Sequence, residues 1–452
     1  MATPHLVEIP YQSSLGYFLA IRHMSWPVWL DSGPEASNRG RYDILAAAPE
    51  TQLISSGNNV SITTKEQSLT RTGNPLDILA EHLPDYTCCG KADIPFCGGA
   101  IGYLAYDLGR QLETLPEQAE NDIQLPDMQI GIYSWAVVQD HMLKRSHLVA
   151  LPSVERCELE QLAEQLKRPK DINTPFKIKG LESNFDVESY SKAFTKIQEY
   201  IHAGDCYQVN LAQRFSGDYS GDPLTAYIEL RKKLPSPFSG YFEPDQGAIL
   251  SLSPERFVEV KQRRVKTQPI KGTISRGSTP EQDQSNAYAL KNSVKDRAEN
   301  LMIVDLLRND LSKVCSEGSV STTRLFDLES YANVHHLVST IEAELEEQET
   351  PTSLLKSSFP GGSITGAPKI RAMEIIEELE PCRRSAYCGS LGYISANQNM
   401  DTNIAIRTLV CDQSNRIHCW GGGGIVADSD METEYQESLT KIGVILDTLQ
   451  SL

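Results

Sequence analysis

Asp296-Arg297-Ala298-Glu299-Asn300-Leu301-Met302-Ile303-Val304-Asp305-Leu306 is the stretch on which the fold reading turns. It lies within a helical pattern from Ala287 to Leu311, and Met302, Ile303 and Leu306 follow Glu299 at the spacing that puts them on its face. A carboxylate on an apolar stripe needs a partner, because buried charges are paired or bound to metal. Lys295 and Arg297 would make it a buried salt bridge. Near the C-terminus, Ser429 and Glu432 read as a capping box for a last helix, on which Glu434 and Glu437 face the same way. Alone, that pair is a solvated face. Set beside Glu299, carboxylates without His or Cys suit Mg²⁺, which takes one or two of them and leaves room for water and an anionic substrate.

Working outward, Asp186–Ala203 has helical spacing (Tyr190, Phe194, Ile197, Ile201) ended by Gly204, and strands follow at Val209–Phe215 and Ala248–Leu252. Helix and strand then alternate to the end. The first part of the chain is strand-like, with Ile44–Ala48, Gln52–Ser55 and Ile130–Gln139 broken by turns such as Ser32-Gly33-Pro34. The loose run Arg168-Pro169-Lys170-Asp171 marks a boundary between a β-rich subdomain at 1–170 and an α/β region at 171–452. No fixed-period repeat is present.

At 452 residues there is ample chain for one large double-layered domain or for two or three ordinary ones. A net charge of −18 argues against nonspecific nucleic-acid or anionic-membrane binding, so an anionic substrate must be captured locally. The ten cysteines, Cys88 and Cys89 among them, form no C-x-x-C pair, which fits a reducing compartment. With no basic-then-apolar leader and no bilayer-length apolar run, a cytoplasmic protein is expected.

Two glycine-rich runs precede helices, Pro360-Gly361-Gly362-Ser363-Ile364-Thr365-Gly366-Ala367-Pro368-Lys369 and Gly421-Gly422-Gly423-Gly424-Ile425-Val426. Each reads as a turn that offers N–H groups to an anion. The first is not a P-loop, since Ala-Pro follows Gly366, and Pro368 suits the first position of a helix Lys369–Leu379, so capping explains the run as well as ligand binding does. Four consecutive glycines mark a bulge, a tight crossing or the close approach of a ligand. With Arg407 and Mg²⁺, two such cradles point to a small dicarboxylate. His335-His336 ends a strand-like run and fits a core histidine, a polar anchor or a general acid. Glu255, in Ser253-Pro254-Glu255-Arg256-Phe257, has Arg256 as its obvious neighbour. Lys271, in Gln268-Pro269-Ile270-Lys271-Gly272-Thr273, has a turn-rich setting, and a lysine held near a metal and other cations can lose its proton and attack an electrophile.

The stretches Asp296–Leu306, Pro360–Lys369, Met400-Asp401-Thr402 with Ile406-Arg407-Thr408, and Gly422–Ser429 together resemble the chorismate-utilising enzymes, the family of anthranilate synthase component I and the isochorismate and salicylate synthases. The likeness runs over nearly the whole chain. It implies an α/β (α+β) fold of two stacked antiparallel β-sheets flanked by helices, with residues 171–452 as the chorismate-binding catalytic region and one core shared between it and residues 1–170. It implies that Glu299, Glu434 and Glu437 surround Mg²⁺, that Tyr387 and Arg407 hold the pyruvyl carboxylate, and that Thr365 and the glycine turn Gly422, Gly423 and Gly424 complete the substrate site.

Members that add water carry a lysine base where this chain has Gln208, and glutamine cannot deprotonate water, whereas ammonia is already a nucleophile. At Lys271 the anthranilate- and isochorismate-forming members usually have alanine. Lysine there is similar to the branch that replaces the C4 hydroxyl of chorismate with an amino group, for para-aminobenzoate and folate synthesis. The implied route has Lys271 attack ring C2 as the C4 hydroxyl leaves, with Glu255 as general acid and His336 near the departing oxygen. Ammonia then enters at C4 and expels the lysine. No cysteine lies in a G-x-C-x-G turn, so a separate glutamine amidotransferase is expected to supply ammonia in a transient heterodimer. The rival readings are anthranilate formation and a non-catalytic tryptophan-sensing subunit.

A second resemblance lies in Leu30-Asp31-Ser32-Gly33, Arg41-Tyr42-Asp43 and Leu234-Pro235-Ser236-Pro237-Phe238-Ser239, which look like the tryptophan-site segments of the same family. It implies tryptophan contacts from Ser32, Arg41, Tyr42, Pro237, Phe238 and Ser239. Feedback-regulated members usually have Glu at Asp31 and Tyr-Met at Phe238-Ser239, which leaves open whether tryptophan is structural or regulatory.

Overall fold

Ile44 packs into one hydrophobic layer and its neighbour Leu45 into another, and the same alternation holds for Val28 and Trp29, Val138 and Val137, and Ile249 and Leu250. Successive side chains on a strand point to opposite faces, so these strands form a sheet buried on both sides and read as continuous apolar runs. The computed structural model describes residues 3–33, 40–85, 94–168, 174–331 and 334–452.

Two twelve-stranded sheets, antiparallel throughout, carry the chain, each with eleven strands along one path and a twelfth beside it: Gly366–Ala367 on Gln208–Gly221 in the first and Ser321–Ser330 on Val334–Glu344 in the second. In spatial order the first runs His5–Ile9, Arg145–Ala150, Trp135–Asp140, Tyr42–Ala46, Val28–Asp31, Phe238–Phe242, Ala248–Ser253, Thr408–Cys411, Arg416–Ile425, Gln208–Gly221 and Phe176–Ser183. The second runs Ile270–Ser275, Val334–Glu344, Arg264–Thr267, Arg256–Lys261, Met400–Asn403, Ser390–Ser395, Gly99–Leu104, Met128–Tyr133, Thr51–Ser56, Asn59–Thr64 and Ser68–Thr72. Each sheet thus joins strands from before residue 170 to strands from after it at a single seam, Leu30 opposite Gly240 in one and Gly102 opposite Gly392 in the other. The layer between the sheets is built from both parts of the chain, with Val28, Leu53, Ile101, Phe242, Phe257 and Met400 among its buried members.

Helices cover the outer faces. Val187–Ala203 forms as its sequence predicts: Asp186 and Ser189 close a reciprocal capping box, Gly204 ends it at φ 84°, and Tyr190, Phe194 and Ile197 pack against Val209 and Leu211. Four expectations need correction. The continuous helix from Ala287 is two, Pro280–Asn292 and Val294–Ser312, because Ser293 takes an extended conformation and caps the second by accepting from Asp296 N–H. The last helix, Met431–Gln450, is capped by Asp430, which accepts from Thr433 N–H, and not by Ser429, whose hydroxyl donates to Glu434 instead. Pro368 is the N-cap of Lys369–Leu379. His335 and His336 open their strand instead of ending one.

Eight described cysteines are free thiols; Cys88 and Cys89 lie outside the described residues, as do Pro34 and most of the run 168–171. No described helix is long and apolar enough to cross a membrane.

Candidate active site

Lys271 is on a strand, not in a turn, and the strand is bulged at that residue. Thr267 opposite Ile341 and Ile270 opposite Val338 keep one register along Val334–Glu344, but Thr273 opposite His336 has slipped by one. The extra residue is absorbed at Lys271-Gly272. A bulge of this kind re-aims a side chain, and bulges concentrate beside active sites. Gly272 has φ +85°, and a Cβ there would lie 2.9 Å from Asp296 Oδ1, so only glycine lets the strand press this closely on the first turn of Val294–Ser312. Glu299 stands one turn further along that helix.

The Lys271 side chain is half-buried, with protein crowding its ammonium. Burial pushes its pKa below the usual lysine range; Glu299, Glu255 and Glu437 pull the other way, and Lys441 adds to the lowering. Four of the residues singled out in sequence therefore act on one another at this point. His336 shares a 2.8 Å hydrogen bond between Nδ1 and Thr273 Oγ1, two residues beyond Lys271. Glu255 is buried between the strands Ala248–Ser253 and Arg256–Lys261, with its N–H donating to Ser253 Oγ and its carbonyl accepting from Ile404 N–H.

The expected glycine turn is a strand. Gly421 to Gly424 belong to Arg416–Ile425, paired with Gln208–Gly221. Asn210 N–H donates to Thr365 O and Ala212 N–H to a Glu380 carboxylate oxygen, so neither donates to the glycine strand. The pairs Asn210/Gly424 and Ala212/Gly422 are thus the non-hydrogen-bonded ones of the antiparallel ladder, and the N–H groups of Gly422 and Gly424 point to the other edge. On that side the neighbouring strand Thr408–Cys411 pairs only as far as Cys419, which leaves those donors available. The N–H groups that this segment leaves open are therefore those of a strand edge, not of a turn.

A Cβ on Gly423 would sit 3.0 Å from Glu434 Oε2 and 3.9 Å from both Glu437 Oε1 and Lys441 Nζ. Buried Glu434 accepts from Ser429 Oγ at 2.7 Å and lies 3.4 Å from Lys295 Nζ. Lys441 pairs with Glu437 at 2.7 Å and donates to Gly422 O at 3.0 Å. Burial works against the charge on Glu437, but Lys441 foremost, with Lys295 and Lys271, holds its carboxyl below the usual range. Burial raises Glu299 despite Lys271 and Lys295. Among the described residues no three His, Cys, Asp or Glu side chains are already gathered for a metal. Two carboxylates facing a gap that only glycine leaves open, with a third sharing Lys295, fit a hard cation that relies on substrate and water for its remaining ligands.

Arg407 has a backbone φ of 49° and a guanidinium for which the described residues supply no carboxylate; burial alone pulls its pKa down. A half-buried cation for which the described residues supply no counter-ion, on a backbone held in the left-handed region, is prepared for an anionic ligand. Tyr387 is buried and stacks on Trp420 with ring centroids 5.5 Å apart and planes 2° from parallel. Burial pushes its phenol well above the usual range, so it stays a neutral donor. Thr365 is fully buried and donates to Gly361 O and Gly362 O, which fixes the loop instead of offering its hydroxyl. Gln208 is fully buried with both amide atoms unpartnered, against Gly424, where a Cβ would meet its Nε2 at 2.6 Å.

Lys441 and the pair Glu380/Arg384 were missed in sequence. Glu437 and Lys441 at i,i+4 could have signalled the first; nothing local marks the second.

The segments that resemble a tryptophan site come together elsewhere. A cavity of about 270 Å³ lies between the two seams, lined by Arg41, Tyr42, Pro237, Phe238 and Ser239 on one side and by Leu391, Tyr393 and Asp401 on the other. Ser32 is behind its wall, with N–H and Oγ both donating to Asp43.

Residues 27–447 match the chorismate binding enzyme family. The chain is 48% identical over 441 residues to aminodeoxychorismate synthase component 1 of Escherichia coli strain K12, covering 96% of this chain and 95% of that one. It is 43% identical to the protein of the same name from Klebsiella aerogenes, with full coverage of both chains, 100% each. Among solved structures, anthranilate synthase component I from Streptococcus pneumoniae superposes with a TM-score of 0.81 at 32% identity, covering 91% of this chain and 93% of that one. The bulged lysine, the facing glutamates, the open glycine edge and the unpaired arginine thus occur in a chain that belongs to the chorismate binding enzymes.

Proposed function

We propose that this protein replaces the C4 hydroxyl of chorismate with an amino group, the activity for which its relatives at 43% identity and above are named. The observation that carries the reading is Lys271, re-aimed by a bulge and held among Glu299, Glu255 and Glu437 with its pKa lowered. A neutral amine is the nucleophilic form. Arg407 and Tyr387 bind the pyruvyl carboxylate, and the N–H groups of Gly422 and Gly424 bind the ring carboxylate.

The Lys271 amine forms a bond to ring C2, the ring double bonds shift, and the C4–O bond breaks as Glu255 protonates the departing oxygen, which leaves as water. Ammonia then bonds to C4, the double bonds shift back, and the C2–N bond to Lys271 breaks, returning the amine. His336, held by Thr273, stands beside the departing oxygen. Glu434, Glu437 and Glu299 would hold Mg²⁺, which neutralises and orients the substrate's carboxylate. Ammonia comes from a separate glutamine amidotransferase, and the protein works in a reducing cytoplasm. The cavity between the seams takes tryptophan, with Arg41, Tyr42, Pro237, Phe238 and Ser239 as contacts and Ser32 supporting the wall.

The test is incubation of the purified chain with chorismate, Mg²⁺ and ammonium, with products identified by mass. The expected product is 4-amino-4-deoxychorismate, lost on chelation and not formed from glutamine without a partner. Fluorescent anthranilate with pyruvate would instead establish the rival activity, which more distant relatives are named for, among them one at 36% identity from Cereibacter sphaeroides.

Gly423→Ala separates the metal reading from a purely structural one. A methyl 3.0 Å from Glu434 Oε2 pushes that carboxylate aside. The Mg²⁺ concentration for half-maximal rate is expected to rise about tenfold, as when the groups that orient metal ligands are altered. An unchanged Mg²⁺ requirement would remove Glu434 from the ligand set.

A further inference from the structure

The bulge that aims Lys271 has to be kept in register, because the competing register is only one residue away and would send alternate side chains to the opposite face. Upstream of Lys271 the backbone holds it weakly. Residue 269 is proline and has no N–H to give the ladder, and its carbonyl accepts from Ser339 N–H at 3.3 Å, a long contact. What crosses the gap is a side chain. Gln268 is 6% exposed; its Oε1 accepts from Arg256 Nη1 at 3.1 Å and its Nε2 donates to Thr340 Oγ1 at 3.3 Å.

Both of those partners are themselves fixed. Arg256 donates from Nε and Nη2 to the two oxygens of Asp401 at 2.9 and 2.8 Å and lies over the Phe238 ring at 4.8 Å. Thr340 is on the strand that also carries His336 and against which the register of Lys271 is counted. Gln268 therefore ties Arg256–Lys261 to Val334–Glu344 at the one place where the intervening strand is interrupted. The two partners lead on to the other proposed reacting groups: Glu255 immediately precedes Arg256, and His336 lies four residues before Thr340, two side-chain repeats along the same strand.

We propose that Gln268, held by Arg256, is a positioning residue that pins the bulge register and so aims Lys271. The proposal rests on the reading of Lys271 as the nucleophile. Gln268 touches no substrate; its whole effect passes through the lysine.

The experiment compares Gln268→Met, Gln268→Glu, Lys271→Ala and the Gln268→Met/Lys271→Ala double variant, with chorismate, Mg²⁺ and ammonium, reading kcat, KM and the position of amination by mass and NMR. Gln268→Met keeps volume and removes both hydrogen bonds. It should lower kcat about ten- to a hundredfold, the penalty of misplacing a reacting group by an ångström or so, with KM for chorismate within twofold and a larger share of amination at C2. Gln268→Glu keeps an acceptor for Arg256 and should recover kcat to within about threefold of the parent. In the Lys271→Ala background, Gln268→Met should add nothing. A further loss there equal to that in the parent would overturn the proposal, as would a Gln268→Met variant with parental kcat. Full 4-amino activity in Lys271→Ala would overturn the nucleophile reading itself, which is a different result from additivity.

Discussion

Lys271→Ala is expected to cut formation of 4-amino-4-deoxychorismate about a thousandfold, the scale on which a committed catalytic group acts, while chorismate still binds. Alanine has no nucleophile, so the C4–O bond loses the bond-forming partner that drives its departure, and ammonia can enter only where it attacks directly. The cleft keeps Arg407, Tyr387 and the open edge of the glycine strand, so KM for chorismate should stay within a few-fold. Any remaining turnover should place nitrogen at C2. The assay is single-product quantification at saturating ammonium, and undiminished 4-amino product would rule out a covalent role.

The second large effect concerns stability. Arg384 is 1% exposed, and its guanidinium donates to Glu380 Oε2 at 2.9 Å, Glu380 Oε1 at 2.6 Å, Ile364 O at 2.9 Å and Asn210 O at 3.0 Å. Glu380 also accepts from Ala212 N–H at 2.9 Å. This pair therefore binds the loop that carries Thr365 to the strand that backs the glycines. Arg384→Met leaves the Glu380 charge buried without its cation, which typically costs about 3–5 kcal/mol. A fall of that size in unfolding free energy is expected by urea titration. The double variant Arg384→Met/Glu380→Leu should recover part of it, because replacing both charges is far milder than removing one. A single variant as stable as the parent would mean that the pair is held open by water.

The sequence disclosed most of the architecture, and for definite reasons. The inner strands of the first sheet are legible as apolar runs because both of their faces are covered, and the helix Val187–Ala203 is legible because its apolar stripe lies within it and its cap Asp186 and terminating Gly204 directly flank it. What it concealed depends on partners distant in the chain. Four glycines look like a turn until a strand two hundred residues earlier is placed beside them. Lys271 looks like a turn residue because Pro269 and Gly272 interrupt a strand whose continuity is visible only against Val334–Glu344. The Ser293 break was hidden because the apolar periodicity barely falters across it, and one serine hydroxyl decided the matter. The catalytic residue types were recoverable from motifs; Lys441 and Arg384, which settle charge balance and support, were not.

The seams carry a consequence for how the chain comes into being. Val28–Asp31 pairs early with Tyr42–Ala46 but gains its second neighbour only when Phe238–Phe242 has been made, and Gly99–Leu104, paired early with Met128–Tyr133, waits for Ser390–Ser395. On the ribosome, where the N-terminus emerges first, the early strands of both sheets have open apolar edges for most of synthesis. Such edges invite pairing with other chains. Pairings this remote are slow to find, so a nascent chain cut short before residue 238 has no native way to close the first sheet, and before residue 390 none to close the second.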